Sequence, residues 1–255
     1  GLATNLEDLW GTEYYSDASS TKEILFARRT ASSSSFEGYN FPVGYSSGQG
    51  GNCPTQDLVD AFECTDGKSI AESSLYDATN PYANRDPRLN KTVALNGEKW
   101  PNDLADYNSE HPTIETYTGG YHSRTGNAAG KAYATTTGYY LKKFCNADQI
   151  LRGRSGTAAT TSPHGWLTFR MGGMYLNYAE ALFQYFKACG NANAADASGA
   201  VVITDEEGNQ TTVNVPATQT AAKMASKTRL RSGMPAIATG MSNEAFWEKY
   251  KNERR

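Results

Sequence analysis

A long apolar periodicity in the second half of the chain sets the first limit on its fold. Between Thr168 and Lys187 apolar side chains recur at helical spacing for about five turns, at Met171, Met174, Tyr175, Tyr178, Ala179, Leu182, Phe183 and Phe186. The pattern predicts a helix that carries large side chains on more than one face. Such a helix needs partner surfaces on more than one side, so we expect other helices to pack against it.

Two further helices are predicted after this one. Residues Thr218 to Arg231 favour a helix, and Gly233 followed by Pro235 is the expected stop. The last helix begins after Ser242, a good N-cap residue. Between the long first helix and the helix from Thr218, residues 200–215 alternate in polarity around a turn and predict a hairpin. The three helices indicate a stack of tetratricopeptide-like helical hairpins, although no clean repeat of roughly 34 residues is visible.

The first part of the chain, residues 1–165, is rich in loops. Short strand-like segments, Glu23 to Arg29 and Lys91 to Gly97, are separated by clusters of Gly, Ser and Asn, and one helix is predicted over residues 54–65. Loops of this length persist in a compact domain when they are anchored on a scaffold, and they often carry function. We therefore predict a mainly α domain in which residues 166–255 are the helical scaffold and 1–165 a loop-rich region with short strands.

Composition excludes two classes of partner. The formal net charge is -3, and the 24 Lys and Arg residues are scattered along the chain rather than concentrated on one face. Nucleic-acid grooves need a concentrated basic footprint, so no nucleic acid is expected. Every apolar run is too short to span a membrane. The last helix carries no stop signal and the first residues carry no export signal, so the chain is expected to be a piece of a longer protein.

The cysteines and histidines predict no metal centre. The four cysteines form no CxxC pair and the three histidines form no pair at i, i+4, the spacings that zinc sites use. Cys53 and Cys64 are close enough in sequence to close a short disulfide loop in an oxidising compartment, or they are two independent buried thiols. No cofactor is expected. Calcium stays open, because Asp and Asn are plentiful but no loop has a recognisable ligand spacing.

Eight short motifs resemble one known family. In chain order they are NFPVGY from Asn40, PTQDLVDAFE from Pro54, NPYANRDPRL from Asn80, NGEKW from Asn96, TGYYLKKF from Thr137, FRMGGMYLNYAEAL from Phe169, RLRSGMP from Arg229 and NERR from Asn252. Both the motifs and their order resemble the SusD/RagB family of Bacteroidetes glycan-binding proteins. The resemblance covers the chain from about Glu23 to Arg255.

The resemblance implies a SusD-like fold and a place in carbohydrate uptake. It implies a surface-exposed lipoprotein of the outer membrane, whose lipid anchor and upstream tetratricopeptide helices lie outside this sequence, as does the end of the last helix. Such a protein captures oligosaccharides or polysaccharides without cleaving them. It then delivers them to a TonB-dependent SusC-like transporter, as in starch-utilization-like systems for polysaccharide utilization.

Candidate glycan-binding residues are aromatic side chains with polar neighbours on loops. A sugar ring has apolar C–H faces and a rim of hydroxyl groups, so its sites combine flat aromatic faces with polar side chains. Trp100 is the first candidate, because it follows a turn in a polar stretch and the family builds part of its glycan platform from this portion of the chain. The other candidates are Tyr76, Asp77, Asn102, Tyr121 and Trp166. The alternative for each aromatic is a buried plug between the loops and the helices.

Several motifs have a structural explanation instead. NPYANRDPRL, with Pro81 and Pro87, predicts a corner that fixes the fold. Glu180 lies within the long apolar helix and is predicted to pair with Arg170 or Arg229. Two other functions compete with glycan binding. One is a helical-repeat scaffold for protein interaction, and the other is a glycoside hydrolase, which would need two carboxylates about 5 to 10 Å apart. No motif identifies the glycan.

Overall fold

The structure is a computed structural model, and it describes residues 1–10, 22–45, 48–100, 110–151 and 158–255. The chain divides into two compact units. The loop-rich unit comprises Ala3–Phe62 and Pro87–Thr168, and the helical unit comprises Gly1–Leu2, Glu63–Asp86 and Phe169–Arg255. Glu63–Asp86 thus belongs with the helices, although it lies in the first part of the sequence. No helix within the described ranges is both long and apolar enough to cross a membrane.

The loop-rich unit contains three short helices and four strands. The helices are α1 (Ser35–Asn40), α2 (Gln56–Ala61) and α3 (Arg88–Thr92), and the strands are β1 (Ile24–Arg29), β2 (Val93–Ala94), β3 (Tyr140–Leu141) and β4 (Gly165–Arg170). Single 3-10 turns cover Glu7–Leu9 and Lys131–Tyr133. Strand β1 pairs with β4, and β2 pairs antiparallel with β3.

In this unit one predicted strand is confirmed, one predicted helix is present but shorter, and a second predicted strand is mostly helix. Strand β1 lies where it was predicted, and α2 is capped by Thr55, whose hydroxyl accepts a hydrogen bond from the Leu58 amide at 3.3 Å. Helix α2 ends before residue 65 because Phe62 is already extended. The strand predicted from Lys91 shrinks to two residues, because Pro87 starts helix α3 with helical backbone angles and the helix continues to Thr92.

The core of the loop-rich unit is built from loops as much as from strands. Its buried side chains are Phe41, Val43, Ala94, Trp100, Ile114, Ala128, Ala134 and Tyr140. The phenol of Tyr140 is fully buried, donates to the His122 carbonyl oxygen at 2.7 Å and accepts from the Thr135 amide at 3.2 Å. Burial raises the pKa of Tyr140 to about 12, so the phenol stays neutral and serves as a fixed cross-link between loops.

The helical unit contains the three helices that the sequence predicted. They are α4 (Met171–Ala188), α5 (Ala221–Arg231) and α6 (Asn243–Arg254), with the hairpin strands β5 (Gly199–Thr204) and β6 (Gln210–Val215) between α4 and α5. Short 3-10 turns cover Ala194–Asp196 and Ala217–Gln219. Helix is thus the larger share of the regular structure described, and every described strand has six residues or fewer.

The helix boundaries follow local chemistry. Helix α4 begins at Met171 rather than Thr168, because the preceding residues belong to strand β4. Helix α5 is followed by Gly233, whose φ of 78° is the left-handed conformation of a glycine stop. Helix α6 is capped by Ser242, whose hydroxyl accepts from the Ala245 amide at 3.2 Å. The predicted caps and the glycine stop are therefore confirmed.

The three helices share one core. Phe183 of α4 is fully buried, and its ring centroid lies 4.8 Å from that of Phe246 and 5.6 Å from that of Trp247, both on α6. Ala221, Ala222 and Ala225 of α5 are also buried in this core. Small side chains on α5 allow the helices to approach closely, so the large side chains of α4 and α6 fill the space between them.

A buried network of charges ties the helices to the segment that begins at Glu63. The Arg229 guanidinium contacts the Glu63 carboxylate at 2.7 Å and the Glu253 carboxylate at 3.2 Å. Lys249 also contacts Glu63, and the Thr228 hydroxyl donates to Glu253 at 2.8 Å. The predicted pairing of Glu180 with Arg229 is wrong, because Arg229 is occupied here and Glu180 accepts a hydrogen bond from the Tyr250 phenol at 2.8 Å.

The motif NPYANRDPRL forms the corner that the sequence predicted. Asn84 adopts a φ of 54°, in the left-handed region that Asn tolerates better than most residues, and its side chain donates to the Leu75 carbonyl at 3.2 Å. Arg85 is buried and donates to the Pro81 carbonyl at 2.8 Å, while the Asp86 amide donates to the Glu63 carbonyl at 2.8 Å. These bonds stay within the helical unit and hold the segment in one conformation.

Candidate functional site

Trp100, the first candidate for a glycan platform, lies in the core. Its side chain is 5% exposed, and its ring centroid is 5.4 Å from that of Phe41 in an edge-to-face contact. The ammonium of Lys142 lies 5.9 Å from the ring centroid. A ring this buried offers a sugar almost no surface, so the structure favours the alternative of a core plug for Trp100. Asn102, predicted as its polar neighbour, lies outside the described residues.

Tyr76 and Asp77 belong to the helical unit and lie shortly before the corner formed by NPYANRDPRL. The Arg85 guanidinium lies 5.7 Å from the centroid of the half-buried Tyr76 ring. Asp77 is exposed, but its carboxylate accepts from the amide and the hydroxyl of Thr79 at 2.8 and 2.7 Å, and these hydrogen bonds lower its pKa. Both side chains are thus engaged within the chain, and a role in glycan binding stays a prediction.

Tyr121 and Trp166 lie in the loop-rich unit, half-buried among other rings. The Tyr121 ring stacks on His111 with centroids 4.0 Å apart, and it packs against the core cluster that contains Trp100. The Trp166 ring lies 5.1 Å from Phe36, edge to face, and 5.9 Å from His164. The structure therefore brings Trp100 and Tyr121 to one cluster, while Trp166 joins a different group of rings. Glycan binding at both residues stays a prediction.

His122, beside Tyr121, is buried in its neutral form. Its Nδ1 accepts a hydrogen bond from the Glu115 amide at 3.1 Å, which only an unprotonated nitrogen can do. Burial lowers the pKa of His122 from its ordinary value of 6.5 to about 4, and the nearby Glu115 carboxylate only partly opposes this effect. The neutral imidazole of His122 thus contacts two residues of this loop, the Glu115 amide through a hydrogen bond and the Tyr121 ring edge to face.

We expect His122 to make the fold less stable in mild acid. The unfolded chain takes up a proton at His122 near pH 6.5, whereas the folded chain resists until about pH 4. The free energy of unfolding is therefore highest, as far as His122 is concerned, above pH 6.5. It decreases as the pH falls from 6.5 toward 4, because the unfolded chain then binds a proton that the folded chain does not. Urea unfolding at several pH values measures the slope. His122→Gln, which keeps an acceptor but does not titrate, should flatten the slope in this window; an unchanged slope would contradict the assignment.

Two exposed tyrosines of the loop-rich unit were not among the predicted site residues. Tyr39 is 51% exposed and Tyr133 is 69% exposed, and both border the turn at Gly50 and Gly51. The Gly51 amide donates to the Tyr39 carbonyl at 2.7 Å, and a Cβ on Gly51 would clash with the Tyr39 ring. A Cβ on Gly50 would lie 3.0 Å from the Tyr133 carbonyl oxygen. The Tyr39 ring thus packs against the Gly51 backbone, and the backbone of Tyr133 meets the same turn at Gly50.

Polar side chains lie beside these rings. Arg124 is exposed and donates to the Ala132 carbonyl at 3.3 Å, next to Tyr133 in sequence. Asn52, which follows the glycine pair, is exposed and donates to the Asn40 side chain at 2.7 Å. We call the set of Tyr39, Gly50, Gly51, Asn52, Arg124 and Tyr133 the tyrosine surface. It offers flat apolar faces, a guanidinium and an amide, which is the mixture that a sugar requires.

Sequence patterns could have indicated this surface only weakly. The glycine pair within the GQGGN segment, Gly48 to Asn52, was assigned to a turn. A glycine pair also leaves room for a neighbouring ring, but the sequence does not show which ring takes it. Exposure of Tyr39 and Tyr133 depends on contacts between loops that are distant in the chain.

A metal site, a disulfide and a pair of carboxylates are the other kinds of site that the sequence raised. Among the described residues, no group of three or more His, Cys, Asp or Glu side chains is arranged to hold a metal ion. All four cysteines are free thiols, so Cys53 and Cys64 are not linked. The carboxylates of Glu63 and Glu253 do converge, but they flank the buried Arg229 guanidinium, where a sugar has no access.

Comparison with known proteins decides the family. The family model of the SusD family matches residues 7–255 of this chain. The chain belongs to the SusD family. Searched against curated proteins, it has no significant match.

Two solved SusD-like structures share the fold. A SusD-like protein from Bacteroides fragilis superposes with a TM-score of 0.64 at 22% identity, over 98% of this chain and 42% of its own. A SusD-like carbohydrate binding protein from the same species superposes with a TM-score of 0.60 at 19% identity, over 100% of this chain and 42% of its own. This SusD-family chain therefore spans less than half the length of the neighbours it matches.

Proposed function

We propose that this chain binds oligosaccharides or polysaccharides at the cell surface and does not cleave them. The observation that carries the proposal is the tyrosine surface, where two tyrosines with exposed side chains meet at one glycine turn, together with the exposed polar side chains of Arg124 and Asn52. Membership of the SusD family supports it, as does the carbohydrate binding named for one of the solved neighbours. Sugar rings stack on such faces through their C–H groups while their hydroxyls bond to the polar rim.

The wider role is proposed on the family resemblance. The chain would belong to a lipoprotein of the outer membrane that passes glycans to a SusC-like TonB-dependent transporter. Helices α4, α5 and α6 would be part of a tetratricopeptide-like stack, since all three contribute to one core. A helical-repeat scaffold without glycan binding is the competing function, and it would leave the exposed rings of the tyrosine surface without a role.

The experiment begins with a glycan array and follows with titration of the best ligand. We expect Tyr133→Ala to weaken binding by about 1 to 3 kcal/mol, by analogy with other flat rings stacked on aromatic side chains. The thermal midpoint should barely move, because the ring is 69% exposed. Reducing ends should not be released from the bound glycan, and release that a carboxylate substitution abolishes would make the protein an enzyme.

Matched variants make the titration specific. Tyr133→Phe keeps the ring and should retain most of the affinity. Tyr117→Ala removes another exposed ring, 57% accessible against 69% for Tyr133, from outside the tyrosine surface and should leave affinity unchanged. Equal affinity for Tyr133→Ala and the unaltered chain would remove the tyrosine surface from the proposal. Absence of any glycan ligand would favour the interaction scaffold.

A further inference from the structure

The helical unit contains an open pocket of about 550 Å³. Helix α4 lines it with Met171, Met174, Tyr175 and Tyr178, the 3-10 turn with Thr218 and Gln219, and helix α5 with Met224 and Lys227. The four residues of α4 follow the i, i+3, i+4, i+7 pattern and so share one face of the helix. The volume lies within the range of about 300 to 1,000 Å³ that small-molecule sites occupy.

The polar groups of this pocket make few contacts with the rest of the described residues. In the part of the chain that the structure describes, the hydroxyls of Tyr175, Tyr178 and Thr218 and the side-chain amide of Gln219 have no hydrogen-bond partner. The ammonium of Lys227 has neither a hydrogen bond nor an ion pair there, and lies 5.3 Å from the centroid of the Tyr175 ring. Five polar groups are therefore free to meet a ligand.

The charge of the pocket favours an anion. Lys227 is the charged residue among the eight that line it, so no lining carboxylate offsets its ammonium. Met171 and Met174 lie in the first turn of α4, which carries no acidic residue, and Arg170 at the N-cap makes no side-chain capping bond. The positive end of the helix dipole thus adds to the charge of Lys227.

We propose that this pocket binds a sugar residue that carries one negative charge, the carboxylate of a uronic acid or a sulfate ester. The C–H faces of the sugar lie against the tyrosine rings and the methionine side chains. The anionic group accepts from the Lys227 ammonium, and the ring hydroxyls pair with Thr218 and Gln219. The proposal rests on glycan binding as the proposed function and adds a second site, lined only by residues of the helical unit.

An apolar helix is a poorer occupant of the same pocket. It would cover the methionines, but it would also remove the lining hydroxyls, the amide and the ammonium from water without partners. Each buried polar group left unpaired costs free energy, and a charged group costs more. A sugar satisfies these groups and still covers the apolar surface.

The test is calorimetric titration of the chain with three oligosaccharides of equal length. They are an oligogalacturonate, a sulfated galactose oligosaccharide and the neutral galactose oligosaccharide. We expect at least one anionic ligand to bind, and Lys227→Gln to weaken it about tenfold, as loss of a bond to a charged group does. Tyr178→Ala should weaken the same ligand. The two anionic ligands distinguish a carboxylate from a sulfate.

Controls separate this site from the tyrosine surface and from misfolding. Lys227→Arg keeps the charge and should retain most of the binding. Lys251→Gln removes an equal charge from an exposed pair on α6 and should change nothing. Anionic binding that is unaffected by Lys227→Gln and Tyr178→Ala, but lost in Tyr133→Ala, would overturn the pocket and support the proposed function. If the chain binds none of the three and no glycan on the array, both proposals fail.

Discussion

Replacing Arg229 by methionine is expected to lower the free energy of unfolding by about 3 to 5 kcal/mol, the cost of breaking a buried ion pair by removing one partner. Arg229 is 1% exposed and contacts both Glu63 and Glu253. Methionine fills much of the space but leaves the two carboxylates without the cation that they share, while Lys249 continues to contact Glu63. Urea unfolding followed by circular dichroism measures the change.

Two further variants show whether charge is the cause. Lys251→Gln breaks the exposed pair with Glu248 and should cost at most about 1 kcal/mol. Adding Glu63→Gln and Glu253→Gln to Arg229→Met removes the two buried negative charges that Arg229 contacted and should recover part of the loss. If Arg229→Met alone cost less than the exposed control, water would have to reach these carboxylates, and the network would not hold the helices together.

The sequence predicted the helical unit well because its signals are local. Helical spacing in α4, the Ser242 cap and the Gly233 stop each act within a few residues, and each lies where it was expected. The network around Arg229 joins residues as far apart as Glu63 and Glu253, and no local pattern encodes such a meeting. For the same reason Arg229, one of the two partners predicted for Glu180, was the wrong one.

The candidate glycan site could not be predicted in the same way. The ring of an aromatic residue on a loop is either buried in the core or exposed to solvent. Which of the two applies depends on contacts between loops that are distant in the chain. Trp100 is buried against Phe41, whereas Tyr133 is exposed beside a glycine turn from another part of the chain. Neither NGEK before Trp100 nor AAGKA before Tyr133 shows by its composition whether the ring that follows is buried.

Trp100→Ala is expected to lower the free energy of unfolding by about 3 to 5 kcal/mol, as truncation of a large buried aromatic does. The variant loses the edge-to-face contact with Phe41 and leaves a cavity in the core of the loop-rich unit. Thermal and urea unfolding measure the loss. Affinity for the glycan identified on the array should stay within a few-fold at temperatures where the variant is folded. A platform residue would give the opposite pair of results, with affinity lost and the thermal midpoint kept, and that outcome would restore Trp100 to the binding site.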